Sequence, residues 1–128
     1  MRTSRLRRRR SCSPKPLGKP SPRNDAERRA AWWYRRRGYR ILAANVWLAG
    51  GELDLVVRRG RCLVFCEVKS AETDFRDPLE AVTSQKVRRV RRAADAWLAR
   101  NPRSDGLDVR FDVIAERSGR IEHVPDAF

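Results

Sequence analysis

The sequence predicts an α/β domain in which helices flank a mixed central sheet. Two segments, near residues 26–37 and 84–100, repeat apolar residues at helical spacing. The other apolar runs are short and are separated by Gly- or Arg-containing turns, which is typical of strands. The order along the chain is α-β-β-β-α-β-β, and such alternation favours a layered α/β arrangement.

Charge divides the chain into two parts. Residues 1–23 hold nine Lys or Arg and no acid, whereas the rest holds 21 basic and 16 acidic residues, for a total of +14. Like charges and four prolines disfavour regular structure, so we expect a disordered basic tail at 1–23 and one domain at 24–128. The excess of positive charge favours a polyanionic partner, most simply nucleic acid. The tail is either a solvated leader or an arm that contacts polyanions.

The cysteines and the N-terminal sequence bear on location. Cys62 and Cys66 lie on one predicted strand, about 13 Å apart, which is too far for a disulfide. We expect free thiols in a reducing compartment, with Cys12 free in the tail.

The spacing of Cys62, Cys66 and His123 along the chain is unsuitable for a zinc site, so we expect no zinc there. The basic start precedes no apolar segment, so we expect no signal peptide, no membrane association and a cytoplasmic location.

The first helix is predicted after Asn24 or Asp25, either of which can cap it, and Gly38 suits its C-terminal end. Its aromatic run at residues 32–34 could stack on nucleic-acid bases. Helical spacing instead favours a core position for Trp33 and Tyr34.

A strand is predicted at residues 39–48, followed by the hairpin "GGELDLVVRRGRCLVFCEVKS" at 50–70. Residues 70–76 are predicted to form a loop. Asp77, Pro78 and Glu80 then resemble the start of a helix.

Thr83 is a second cap candidate, and it precedes the long helix at 84–100. The predicted buried stripe of that helix is Val87, Val90, Ala94, Trp97 and Leu98.

Strands at 107–115 and 121–124 complete the sheet. On the first of them Asp112 lies two residues from Arg110, so we expect an internal ion pair rather than a catalytic acid. His123 is expected at the surface or the core edge, not as a base.

Four charges interrupt the apolar hairpin. Residues two apart on a strand share a face, so Glu52 lies on the same face as Asp54, and Glu67 on the same face as Lys69. Antiparallel pairing of the two strands can bring Asp54 towards Glu67. Two carboxylates that converge among apolar side chains repel each other unless a cation compensates them.

Such a site suits Mg²⁺ or Mn²⁺. Asp54, Glu67 and the Val68 carbonyl could supply oxygen ligands, and Lys69 could hold an attacking water. The alternative is a solvated hairpin face on which Glu67 and Lys69 form an exposed ion pair. Residue alternation alone leaves both interpretations open.

The pattern of an acid on one strand and E-x-K on the next resembles the PD-(D/E)XK nuclease superfamily. More closely, "GELDLVV…LVFCEVK", "AVTSQKVRRVRRAA", "RFDVIA" and "IEHVPDAF" resemble the uncharacterised YraN-like family of bacterial proteins. This resemblance covers about residues 24–128. It implies a restriction-endonuclease-like α-β-β-β-α-β core, similar to Holliday-junction resolvases, and it makes a homodimer an expectation.

The resemblance also implies roles for individual residues. Asp54, Glu67 and Lys69 match the acid and the E-x-K of the superfamily, and Glu52 matches the family's G-E-x-D-L stretch. Glu27 matches a first-helix acid that approaches the metal. On the long helix Lys86 falls at the family's basic position, but Val87 stands where Gln is common, and Gln85 points about 200° away from it.

Two functions follow from these observations. The first is an Mg²⁺- or Mn²⁺-dependent endonuclease that cleaves phosphodiester bonds in DNA, including branched DNA. The second is a non-catalytic nucleic-acid-binding module or adaptor in DNA repair, recombination or uptake that retains the fold. In both, the nucleic-acid contacts are assigned to the basic side chains of the long helix, namely Lys86, Arg88, Arg89 and Arg92.

Overall fold

The computed structural model describes residues 24–70 and 82–128. The basic tail with Cys12 and the helix-start signature at Asp77, Pro78 and Glu80 lie outside the described residues. The loop predicted at 70–76 also lies outside them, apart from Ser70.

Five strands form one mixed sheet in the order β1-β2-β3-β4-β5. All neighbours pair antiparallel except β3 and β4, which are parallel. The predicted α/β class with a mixed sheet is therefore confirmed. The strands are β1 Arg40–Leu48, β2 Gly51–Arg59, β3 Cys62–Ser70, β4 Asp108–Arg117 and β5 Arg120–Val124, and the helices are α1 Asp25–Arg35, α2 Ser84–Arg100 and the short 3-10 helix Pro102–Ser104.

Both α-helices begin at a side-chain cap. The Asn24 side chain accepts a hydrogen bond from the Glu27 backbone N–H at 2.9 Å, which selects Asn24 over Asp25. Thr83 Oγ1 accepts one from the Lys86 backbone N–H at 3.1 Å, so the predicted cap of α2 is confirmed. In the described parts of the chain, no helix combines the length and the apolar character needed to cross a membrane.

The helices cover opposite faces of the sheet. On one face Ala30, Ala31 and Tyr34 of α1 pack with Leu55 and Val57 of β2. The other face carries Val56 of β2 and Leu63 and Phe65 of β3, packed against α2. Because β2 and β3 are buried on both faces, their apolar residues run continuously instead of alternating with polar ones.

The contacts of α2 differ slightly from the predicted stripe. Val90, Ala94 and Trp97 are buried as expected, together with Ala93. Val87 and Leu98 are only half-buried. The buried face of the helix is therefore centred on Val90, Ala93, Ala94 and Trp97.

Asp112 is the centre of a buried polar cluster on the α1 side. Its carboxylate accepts hydrogen bonds from the Tyr34 hydroxyl at 2.7 Å and from two guanidinium nitrogens of Arg110 at 2.7 and 2.8 Å. His123 Nε2 lies 2.7 Å away, and the Asp126 backbone N–H donates at 3.1 Å. The expected ion pair with Arg110 is confirmed, and His123 is half-buried beside it.

These donors explain how the sheet tolerates a fully buried acid. Burial alone would raise the pKa of Asp112, but the hydrogen bonds hold it well below its ordinary value. Tyr34 comes from α1, and Asp126 follows β5. The carboxylate therefore ties α1 and the segment after β5 to β4.

Replacing Asp112 with Asn should lower the free energy of unfolding at pH 7 by about 3 kcal/mol, because a buried ion pair loses its charged acceptor. The folded-state pKa lies below the unfolded one, so this contribution is present above about pH 4. It is lost as the pH falls further, and the difference between variant and parent should then narrow. Urea unfolding at several pH values measures the difference in free energy of unfolding between the Asp112→Asn variant and the parent. The control is Asp108→Asn, an exposed site on the same strand, and equal stability of the two variants at pH 7 would contradict the assignment.

A tight turn fixes the start of β2. Ala49 and Gly50 both have positive φ, of 52° and 79°, as a two-residue turn between antiparallel strands requires. At Gly51, the next residue, an added Cβ would lie 2.6 Å from the Arg89 carbonyl oxygen of α2. This strand and helix therefore touch backbone to backbone.

A Gly51→Ala variant should be less stable by about 1–3 kcal/mol, because either β2 or α2 must shift to admit the methyl group. The same shift should move the N-terminal part of α2 relative to β3. Urea unfolding gives the stability, and an unchanged midpoint would show that the contact is less close than described.

Candidate functional site

The ladder between β2 and β3 ends before either strand does. It runs from the Arg59–Cys62 pair to the Leu55–Cys66 pair. Beyond that point β2 continues along β1, and β3 continues along β4 as far as Ser70. The two central strands therefore separate where Asp54 and Glu67 stand.

Asp54 fills the gap between the separating strands. Its Oδ2 accepts a hydrogen bond from the Val68 backbone N–H at 2.9 Å, in place of a ladder carbonyl. In an extended strand the N–H and C=O of one residue point to the same side. The Val68 carbonyl therefore also faces the gap.

The two acids face the N-terminal part of α2, because they line one cavity with Lys86, Arg89 and Val90 of that helix. Both are buried, with Asp54 8% and Glu67 4% exposed. They border a cavity of about 120 Å³. Its lining residues are Trp47, Gly50, Gly51, Glu52, Asp54, Glu67, Lys86, Arg89 and Val90.

Two lysines pair with Glu67. Lys86 Nζ lies 2.7 Å and Lys69 Nζ 3.2 Å from the same Oε2. Lys86 reaches the site from α2, so the helix contributes to it although Val87 departs from the family pattern. Gln85 is exposed.

The charge of Asp54 is less well compensated than that of Glu67, which has two lysine partners. Burial, followed by the nearby Glu67 carboxylate, raises the pKa of Asp54 to about 7, although the Val68 hydrogen bond opposes the shift. Burial would lower the pKa of Lys86, but its contact with Glu67 raises it. The lysines therefore compensate Glu67 more directly than Asp54.

The structure gathers most of the predicted site residues. Glu52 is half-buried and lines the cavity with Asp54. Glu27 is buried on α1, and its charge also raises the pKa of Asp54. Arg89 is exposed and lines the cavity, whereas Arg88 and Arg92 are exposed elsewhere on α2.

The donor set decides which metal could be held. Within residues 24–70 and 82–128, no three His, Cys, Asp or Glu side chains come together as a metal site. Cys62 and Cys66 are free thiols on β3, and His123 instead contacts Asp112. Two carboxylates and a backbone carbonyl fit Mg²⁺, which binds through few protein oxygens and keeps several waters.

Four cavity residues were not assigned to the site from the sequence, namely Trp47, Gly50, Gly51 and Val90. Trp47 forms part of the wall and Gly51 allows α2 to approach. The signal for Trp47 is the hairpin register, which places it opposite Glu52. Gly51 could not be distinguished from an ordinary turn glycine.

The chain is similar to proteins of one family. The family described as "Uncharacterised protein family UPF0102" matches residues 26–115, a range that includes both site acids. The chain is 42% identical over 98 residues to a UPF0102 protein of Bartonella bacilliformis, covering 77% of this chain and 80% of the relative. It is 38% identical over 121 residues to the UPF0102 protein YraN of Escherichia coli, covering 93% and 92%.

An Asp54→Asn variant should be more stable than the parent at pH 8, by on the order of 2 kcal/mol. The folded-state pKa of about 7 lies above the unfolded one, so the parent loses stability as the pH rises from about 4 to 7. Asn cannot ionise, yet its amide oxygen can still accept the Val68 N–H. Urea unfolding in EDTA at pH 5 and pH 8 measures the difference.

The exposed site Asp105 supplies the control for this experiment. Asp105→Asn should follow the pH profile of the parent. If Asp54→Asn is instead destabilised at pH 8, the Asp54 carboxylate stabilises the fold and its charge is compensated within the protein.

Proposed function

The chain belongs to the uncharacterised protein family UPF0102, and from its paired carboxylates we propose that it is a nuclease dependent on Mg²⁺ or Mn²⁺. The family membership confirms the resemblance to YraN-like proteins. The observation that carries the proposal is the buried pair Asp54 and Glu67 at the separation of β2 and β3, with Lys69 beside it.

A purely structural role explains this arrangement poorly. Burying acids is costly unless they are paired, and Asp54 has one backbone donor described while a second acid raises its pKa. Apolar residues would fill the same space between strand and helix at lower cost. Perturbed acids that border a cavity are typical of functional sites.

The proposed metal ligands are Asp54, Glu67 and the Val68 carbonyl, with Glu27 and Glu52 close enough to add negative potential. When bound, the divalent cation supplies Lewis-acid polarisation of a phosphate and a water of lowered pKa. Lys69 would hold that water near Glu67, a role supported by the 3.2 Å distance between its ammonium group and the carboxylate. Glu52 contributes through its charge at the cavity wall.

The basic residues of α2 are proposed to bind the phosphate backbone. Lys86 and Arg89 line the cavity, and Arg88 and Arg92 continue the charge along the exposed surface of the helix. Guanidinium and ammonium groups bind phosphate oxygens and release counterions. DNA is the proposed substrate, and Lys86 would exchange part of its contact with Glu67 for a phosphate.

A second candidate function has one specific observation in its favour. Glu67 already has two lysine partners, so its charge is compensated without any metal. A nucleic-acid-binding module that uses the same basic surface without turnover would retain this arrangement. It predicts salt-sensitive binding that divalent cations do not change.

The test is cleavage of single-stranded, duplex, flap and four-way DNA with Mg²⁺, Mn²⁺ or EDTA. The full chain should cut at least one substrate only when a divalent cation is present. Glu67→Gln and Asp54→Asn should each reduce the rate by about 100-fold or more, since both remove charge that stabilises the reacting centre.

Asp95→Asn on the exposed side of α2 is the matched control and should cut like the parent. Circular dichroism should show that all variants are folded. Cleavage that persists in Glu67→Gln and Asp54→Asn contradicts the site. Metal-independent binding without any cleavage favours the second function.

A further inference from the structure

One wall of the candidate site is an exposed tryptophan. Trp47 of β1 is 66% exposed and lines the cavity that Asp54 and Glu67 border. In the β1–β2 ladder its partner is Glu52, and partners across a ladder project to the same face. The hairpin register therefore holds the indole beside Glu52, and both side chains line the cavity with Asp54 and Glu67.

A second wall is basic, because Lys86 and Arg89 reach the cavity from α2. An aromatic surface offers a stacking partner for a nucleobase, whereas the cations offer partners for its phosphate. The two walls together match the two chemical parts of a nucleotide.

The size of the cavity determines which part can enter it. A volume of about 120 Å³ is well below that of sites that enclose drug-sized ligands, which are about 300–1,000 Å³. A phosphate group can reach the acids, but its base must remain at the rim. Trp47 is the aromatic side chain among the described residues that line this rim.

We propose that Trp47 stacks on an unpaired nucleobase next to the phosphate at Asp54 and Glu67. This inference rests on the proposed nuclease function and specifies its substrate class. A base inside a continuous duplex is covered on both faces by its neighbours, so an enzyme reaches it only after unstacking. The substrate is then a strand with unpaired bases at the cleaved bond, as in a single strand, a gap, a flap or a junction.

Exposure alone does not carry the proposal, since single exposed apolar residues are common. Trp32 of α1 shows this, because it is 63% exposed and does not line the cavity. It therefore provides a control that matches Trp47 in residue type and exposure but not in position.

The test is binding of a labelled 20-nucleotide single strand and of the matching duplex by anisotropy in EDTA, with the full chain. Trp47→Ala should bind the single strand about tenfold more weakly, as expected for one lost base stack. Its duplex affinity should change less than twofold. Trp47→Phe should recover most of the loss, and Trp32→Ala should match the parent on both ligands.

Cleavage assays with metal separate this proposal from the nuclease proposal. If the parent cuts DNA but Trp47→Ala keeps its preference for unpaired strands, the stacking role is overturned and the nuclease stands. If the single strand depends on Trp47 but nothing is cut, the stacking role stands and the nuclease falls. An equal loss in Trp32→Ala also overturns the stacking role.

Discussion

The site depends on one hydrogen bond, from the Val68 backbone N–H to the Asp54 carboxylate. Buried backbone donors need partners, and Val68 has left the β2 ladder, which ends at Leu55 and Cys66. A side-chain acceptor on β2 allows the strands to separate without leaving this donor unsatisfied. The same bond fixes Asp54 at the gap, so one contact both permits the opening and places an acid in it.

Helix α2 adds a basic side chain to the acids that the β2–β3 hairpin supplies. Thr83 sets its first turn, and the absence of a side chain at Gly51 lets the helix backbone approach β2 at Arg89. That approach brings the Lys86 ammonium to 2.7 Å from Glu67. The site therefore lies at a junction of strand and helix, where a shift of either element changes the distance between its charges.

More of the fold than of the candidate site could be predicted from the sequence. Element order, the cap at Thr83 and the shared face of Glu67 and Lys69 follow from local pattern, because alternation and capping act over a few residues. The contact between Lys86 and Glu67 does not, since it depends on how closely α2 packs. Val87 departs from the family pattern and is half-buried, but the contact with Glu67 is made by the neighbouring side chain of Lys86.

Two buried aspartates in the same sheet have opposite electrostatic environments. Asp112 is surrounded by donors from a hydroxyl, a guanidinium, an imidazole and a backbone N–H, and its pKa is lowered. Asp54 has one described backbone donor and other acids nearby, and its pKa is raised to about 7. Burial acts to raise the pKa of both carboxyl groups, and only at Asp112 do hydrogen bonds reverse that effect. The difference is the charge that each environment supplies: the fold surrounds Asp112 with hydrogen-bond donors, whereas it surrounds Asp54 with other acids. In the proposed nuclease, a divalent cation would supply the missing positive charge at Asp54.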